Sequence, residues 1–151
     1  MTAYQLSIFA ENKPGRLSKI TGILAGADVN IRAITISTSN DFGVVNLLVD
    51  RHKEAQKALE KGGLTVSLKK VIAVVIDDRP GGLDKLIQLL AAEDINVENA
   101  YGFVLESWKN AVFVIDVDQL ERTQEILEKK GFRLLGADEL AAVEPFHYMN
   151  Y

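Results

Sequence analysis

Two short segments carry the residue types best placed to do chemistry: Asn12-Lys-Pro-Gly15-Arg16-Leu17 and Asp78-Arg-Pro-Gly81-Gly82-Leu83. Each ends an alternating apolar run and begins a helical pattern. Pro-Gly makes a tight turn there, and Gly15 and Gly81 let the backbone approach a partner closely. The first helical N–H groups of each segment have no intrahelical acceptor. At the positive end of a helix they suit a carboxylate or another polar group. Asn12 can donate and accept, whereas ionised Asp78 only accepts and suits an ammonium. Asn30 and Asn96 follow, each eighteen residues later, at the expected start of the next strand. The same residues also make ordinary turn chemistry, with Asn30 and Asn96 capping their turns.

Other chemistry is sparse. The two histidines, His52 and His147, sit apart from each other and from any obvious nucleophile. Asp77, Asp78 and Asp84 could attract a cation, but adjacent carboxylates are ordinary solvated turn residues, and no metal or cofactor is expected. A small enzyme built on Asp77, Asp78 and Arg79 lacks a nucleophile, a base pair and a phosphate or dinucleotide loop. With Cys 0, disulfides and Cys-ligated metal sites are excluded.

The positioning elements repeat. The two segments lie 66 residues apart, and the match runs on through Leu24-Ala25 with Leu90-Ala91 and Asp28-Val-Asn30 with Asp94-Ile-Asn96. Read without a gap, it still aligns Asp50 with Asp116. Tyr4 to Ala10 alternates as a strand. Pro14 is expected to open a helix whose inward stripe is Leu17, Ile20, Leu24 and Ala27. Strands from Ile31 and Val44 flank an Asn40-Asp41 turn. Asp50 is expected to cap a helix that Gly62-Gly63 ends, before a strand at Leu64, Val66 and Leu68. The second copy repeats the order with Val71–Ile76, Leu83–Ala92, Val97–Leu105, Asn110–Val117, Gln119–Lys130 and a strand from Phe132. The expected class is α+β: two ferredoxin-like βαββαβ units, each a four-stranded antiparallel sheet with two helices on one face. Their expected bounds are 1–70 and 71–136, with an aromatic tail at 137–151. Gly22 and Gly26 fall opposite the inward stripe, where close approach of another helix would explain them.

Composition fits a globular protein: 151 residues, 48% hydrophobic, net charge −4, too apolar for disorder. No apolar run is long enough for a membrane span, and Met1 to Phe9 has no signal-peptide pattern, so a cytoplasmic chain is expected. Residues 1–70 carry 10 Lys and Arg against 6 Asp and Glu, and residues 71–140 carry 7 against 14. The basic residues of the first half are spread over helices and turns, and the sheet faces lack aromatic pairs. Neither nucleic acid nor membrane is an expected partner. On the first copy's outer sheet face Ser7, Thr65 and Ser67 tolerate water. Val71–Ile76 and Ala111–Ile115 are apolar throughout and call for cover on both faces. The tail, with three aromatics in its last six residues, is expected to pack on an apolar surface.

Strand, Asn-x-Pro-Gly-x-Leu, helix, Asp-x-Asn-Ile and strand together resemble an ACT domain, present twice over about residues 3–136. The whole chain is similar to small stand-alone tandem ACT proteins without a catalytic domain. The resemblance implies a non-catalytic regulator that binds a small effector, commonly an amino acid, where two units pair. It places the site at Asn12, Gly15, Arg16, Leu17, Asn30 and Ile31 in the first copy, and at Asp78, Gly81, Gly82, Leu83, Asn96 and Val97 in the second. Asn12 against Asp78 and Arg16 against Gly82 break the symmetry. A homodimer is expected. The alternative is a ligand-free regulatory subunit that docks on a metabolic enzyme.

Overall fold

A computed structural model of the chain describes residues 2–142. Residues 4–69 form one compact unit, and residues 2–3 with 70–142 form the other.

The first unit contains β1 (Ala3–Glu11, entered at Tyr4), α1 (Arg16–Gly26), β2 (Ile31–Ser39), β3 (Phe42–Val49), α2 (His52–Lys61) and the first part of β4 (Thr65–Asp77). The strand order is β2-β3-β1-β4. β3 runs antiparallel to both β1 and β2, with Leu6 opposite Leu47 and Ile34 opposite Leu47 on the other side. Alternation puts Leu6 and Ile8 of β1 with Val45, Leu47 and Val49 of β3. Ile20 and Leu24 of α1 and Ala55 and Leu59 of α2 close over them. Each fully buried Leu or Ile adds roughly 1.5–3 kcal/mol of apolar transfer.

The second unit repeats this with the rest of β4, α3 (Gly82–Ala92), β5 (Val97–Glu106), β6 (Asn110–Val117), α4 (Leu120–Lys129) and β7 (Leu134–Leu135). Its order is β5-β6-β4-β7, antiparallel at each of the three pairings. Its core joins Ile72 and Val74 of β4 and Ile115 of β6 to Leu86, Leu90 and Leu127 of the helices. Val71, Ala73, Val112 and Val114, on the opposite sheet face, are buried too. Both units are ferredoxin-like. A short helix, α5 (Ala137–Ala141), follows β7 and buries Leu140. The rest of the aromatic tail, 143–151, lies outside the described residues.

Several sequence expectations need correction. α1 starts at Arg16 rather than at Pro14, because Gly15 takes a left-handed conformation, φ 89°, and the turn is complete only there. Leu17, in that first turn, is 40% exposed and leaves the inward stripe to Ile20 and Leu24. β4 is a single thirteen-residue strand that begins at Thr65 and continues through Lys69 and Lys70 to Asp77. β7 is confined to two residues. Nothing lies within 4 Å of a Cβ at Gly22 or Gly26, so neither glycine is required by packing within its unit.

The repeat also contains an insertion. Ile31 corresponds to Val97, but Phe42 corresponds to Asn110, because the β5–β6 hairpin is two residues longer than the β2–β3 hairpin. Asp50 therefore corresponds to Asp118, not Asp116. Asp116 is instead a buried residue of β6. Burial, reinforced by the Asp116 charge, pushes the Tyr101 hydroxyl well above the usual phenol range.

Candidate functional site

Each unit builds the same turn between its first strand and first helix. Gly15 and Gly81 both have φ 89°, a conformation that strains any residue with a Cβ. Both are N-cap residues, and no side chain caps either helix. The first-turn N–H groups of α1 and α3 thus end in the loop that carries the motif. Leu17 and Leu83 project from it, 40% and 41% exposed.

The two loops differ where the sequence breaks its symmetry, and the structure supplies a reason for each break. A Cβ on Gly82 would run into the Asp77 carbonyl oxygen, so this position excludes every side chain. At the corresponding position Arg16 fits, and it reaches back to Glu11 at 3.7 Å. Asn12 and Asp78 each tie the loop to the tip of the neighbouring hairpin. Asn12 Nδ2 donates to the Asn40 carbonyl, 3.2 Å, while Asp78 Oδ2 accepts from the Trp108 backbone N–H, 2.8 Å. One hairpin tip offers an acceptor and the other a donor, and the side chains match. Asn12→Asp sets two acceptors face to face and should cost about 1 kcal/mol. Asp78→Asn keeps an oxygen for Trp108 and should stay within ~0.5 kcal/mol, as chemical denaturation will show.

Asn30 and Asn96 sit beyond the far ends of α1 and α3. The Asn30 N–H donates to Asp50 Oδ1, 2.9 Å, and its carbonyl accepts the Asp50 N–H, 3.1 Å. Asn96 makes the same pair of bonds with Asp118. Asp50 is thus not the cap of α2. Arg51 occupies the N-cap without a side-chain bond to the helix, because the Asp50 carboxylate is used to fasten the start of β2 to the end of β3. Ile31 and Val97 then enter their sheets opposite Val49 and Val117. An eleven-residue helix separates Gly15 from Asn30, and another separates Gly81 from Asn96. At ~1.5 Å per residue each spans about 16 Å. Neither unit brings its own two motifs to one small ligand.

A cavity of about 280 Å³ adjoins Arg16, lined also by Phe9, Glu11, Phe42, Gly63 and Leu64. Phe9 and Phe42 lie on the outer sheet face of the first unit, 53% and 68% exposed. Sequence alternation alone points only to Ser7, Thr65 and Ser67 on this face. Extending the β1 alternation past Ser7 would have found Phe9, whereas placing Phe42 needs the β3 register. Arg16 Nε is buried without a hydrogen-bond partner. Glu11 receives Lys13 at 3.0 Å. Lys13, and less strongly Arg16, hold the Glu11 carboxyl below the usual glutamate range. A carboxyl lowered in this way stabilises the fold above its unfolded pKa, and that contribution is lost as pH falls through the folded value. On acidification through the carboxylate range, the wild-type melting temperature should fall more steeply than that of Glu11→Gln. Equal slopes would contradict the pairing.

The remaining candidates have structural roles or no site around them. The His52 ring stacks on Tyr4, 4.7 Å between centroids. Among the described residues no group of His, Cys, Asp and Glu could hold a metal ion. His147 lies outside those residues. No helix among them is long and apolar enough to cross a membrane.

A family model described as an ACT domain pair matches residues 1–143. No curated protein matches the sequence. Among solved structures, a protein from Bacteroides thetaiotaomicron is similar at 35% identity and TM-score 0.87, over 93% of this chain and 96% of that one. The ligand-free regulatory subunit of aspartate kinase from Thermus thermophilus has TM-score 0.60 at 18% identity, over 85% and 93%. The corresponding subunit from Thermus flavus has TM-score 0.58 at 18% identity, over 94% of each chain. At that identity the two Thermus proteins share the fold. The duplicated strand–turn–helix unit and the match over nearly its whole length establish that this chain belongs to the ACT domain pair family.

Proposed function

We propose that the chain is a non-catalytic regulator that binds an amino acid through the strand–helix loops of its ACT units and works as a homodimer in the cytoplasm. The observation that carries this reading is the duplicated loop, with left-handed Gly15 and Gly81 before helices that no side chain caps. Uncapped helical N–H groups at the positive end of a helix favour a carboxylate. Asn12 and Asp78, and Asn30 and Asn96 from a neighbouring unit, add polar groups for the rest of a zwitterion. Because each unit holds its two motifs about 16 Å apart, a second copy is the natural source of the missing half. A ligand at such a junction shifts the population of the arrangement it binds best, and a downstream protein reads that shift.

A second reading, a subunit that docks on a metabolic enzyme without a ligand, is favoured by Ile34 and Ile36. They stand 41% and 51% exposed on the terminal strand β2. Calorimetric titration with each amino acid, with light scattering to follow the mass, separates the two. Saturable heat for one amino acid or a chemically related few supports the sensor. No affinity for any of them, with the dimer intact, rejects it in favour of the docking subunit.

A further inference from the structure

We infer that the cavity beside Arg16 is a small-carboxylate site, present once per chain, whose ligand carries a flat apolar group. This inference rests on the small-effector reading above and names a location and a ligand class for it. At about 280 Å³ the cavity lies just below the range of pockets for drug-sized molecules, which suits a ligand the size of an amino acid. One side is a charged anchor. Arg16 Nε is buried with no hydrogen-bond partner, and its Nη2 stands 3.7 Å from Glu11, too far for a good hydrogen bond. Glu11 already has Lys13 at 3.0 Å, so the guanidinium is not needed to neutralise it. The Arg16 side chain as a whole is 29% exposed, and its planar guanidinium matches a carboxylate in shape and charge. The other side is apolar. Glu11 pairs with Phe42 and Phe9 with Val44, which sets both rings on one sheet face, diagonal to each other. Large rings left 53% and 68% exposed at neighbouring positions gain from an apolar group that covers them. At Gly63, φ 86°, nothing lies within 4 Å of a Cβ, so that edge of the cavity is open.

The second unit is an internal control. Its β4–β6 register matches that of β1–β3 residue for residue, with Asp77 opposite Asn110 and Val75 opposite Val112. At the three positions that matter it has Val75 for Phe9, Gly82 for Arg16 and Asn110 for Phe42. The Asp77 carbonyl bars any side chain at Gly82, so the anchor cannot be supplied there. The fold is copied and the site is not.

The test is calorimetry on the full chain with two probes, phenylalanine and phenylacetate. Both present a carboxylate and a ring, and only the first carries an ammonium. The expected result is one site per chain for at least one probe. Binding should weaken tenfold or more in Phe42→Ala and in Arg16→Gln and stay unchanged in Asn110→Ala, the matched substitution in the second unit. Melting curves within a few degrees of wild type guard against misfolding, and the exposure of Phe42 makes that variant the safer of the two. Failure of both probes overturns the inference, as do two equal sites or indifference to Phe42→Ala. Binding of a non-aromatic amino acid that ignores Phe42→Ala overturns this site and leaves the sensor reading standing. Binding of phenylacetate without phenylalanine supports the site and overturns the choice of amino acid as effector.

Discussion

Gly82→Ala should lower stability by about 2–3 kcal/mol, a fall in melting temperature of roughly 4–12 °C for a chain of this length. The substitution is mild on paper. Position 82 is helical, and in a helix Ala is favoured over Gly by up to ~1 kcal/mol. The clash outweighs that preference. The new Cβ would run into the Asp77 carbonyl oxygen, a main-chain atom at the end of β4 that no rotamer change can move aside. Either the end of the strand or the start of α3 must shift, and both are fastened, since the Asp78 N–H donates to the Lys109 carbonyl and the Gly82 N–H to that of Arg79. Arg16→Ala is the matched comparison, because α1 already accepts a Cβ at that position, and it should cost well under 1 kcal/mol. A melting temperature for Gly82→Ala within 2 °C of wild type would show that the close approach is not real. The result matters for function, because it separates a glycine demanded by packing from one kept for a ligand.

Ile20→Ala and Leu86→Ala should each cost about 2–5 kcal/mol. The two residues are counterparts on α1 and α3, and both have 0% exposure. Ile20 packs among Leu6, Leu47 and Leu59, and Leu86 among Ile72, Ile115 and Leu127. The fully enclosed sites cannot collapse onto a truncated side chain, so the cavity term adds to the lost transfer energy. Hydrogen exchange read element by element gives the sharper result. Protection should fall in β3 for Ile20→Ala and in β6 for Leu86→Ala. A cost below 1 kcal/mol for either would mean that its helix does not form the core described here.

Much of the fold can be read directly from the chain, because two physical periods are written into it twice. Leu6 and Ile8 alternate, Ile20 and Leu24 recur at helical spacing, and Pro-Gly marks both strand–helix turns. What the sequence hides has specific causes. The two extra residues of the β5–β6 hairpin are masked because an aspartate at 116 happens to align with Asp50 when no gap is allowed. Asp50 reads as a helix cap because a short acid before a helix does that work locally, and its real partner, Asn30, is distant in sequence. The reason for Gly82 is a carbonyl five residues back that only the turn brings close. For the candidate site, the motif residues could be picked out in advance, but their separation along α1 and α3 could not. Phe9 and Phe42 are thirty-three residues apart in the chain and meet only through sheet register.

Binding of a small amino-acid effector by this ACT domain pair can be read from a thermal-melt screen of the whole chain against the twenty amino acids at millimolar concentration. A ligand at a hundred times its dissociation constant adds about 2.7 kcal/mol, which for this length is a rise of roughly 5–10 °C. Such a rise is expected with one amino acid or a few of related chemistry, and no change with the remainder. A flat screen across all twenty, from a protein that melts cooperatively, would contradict it.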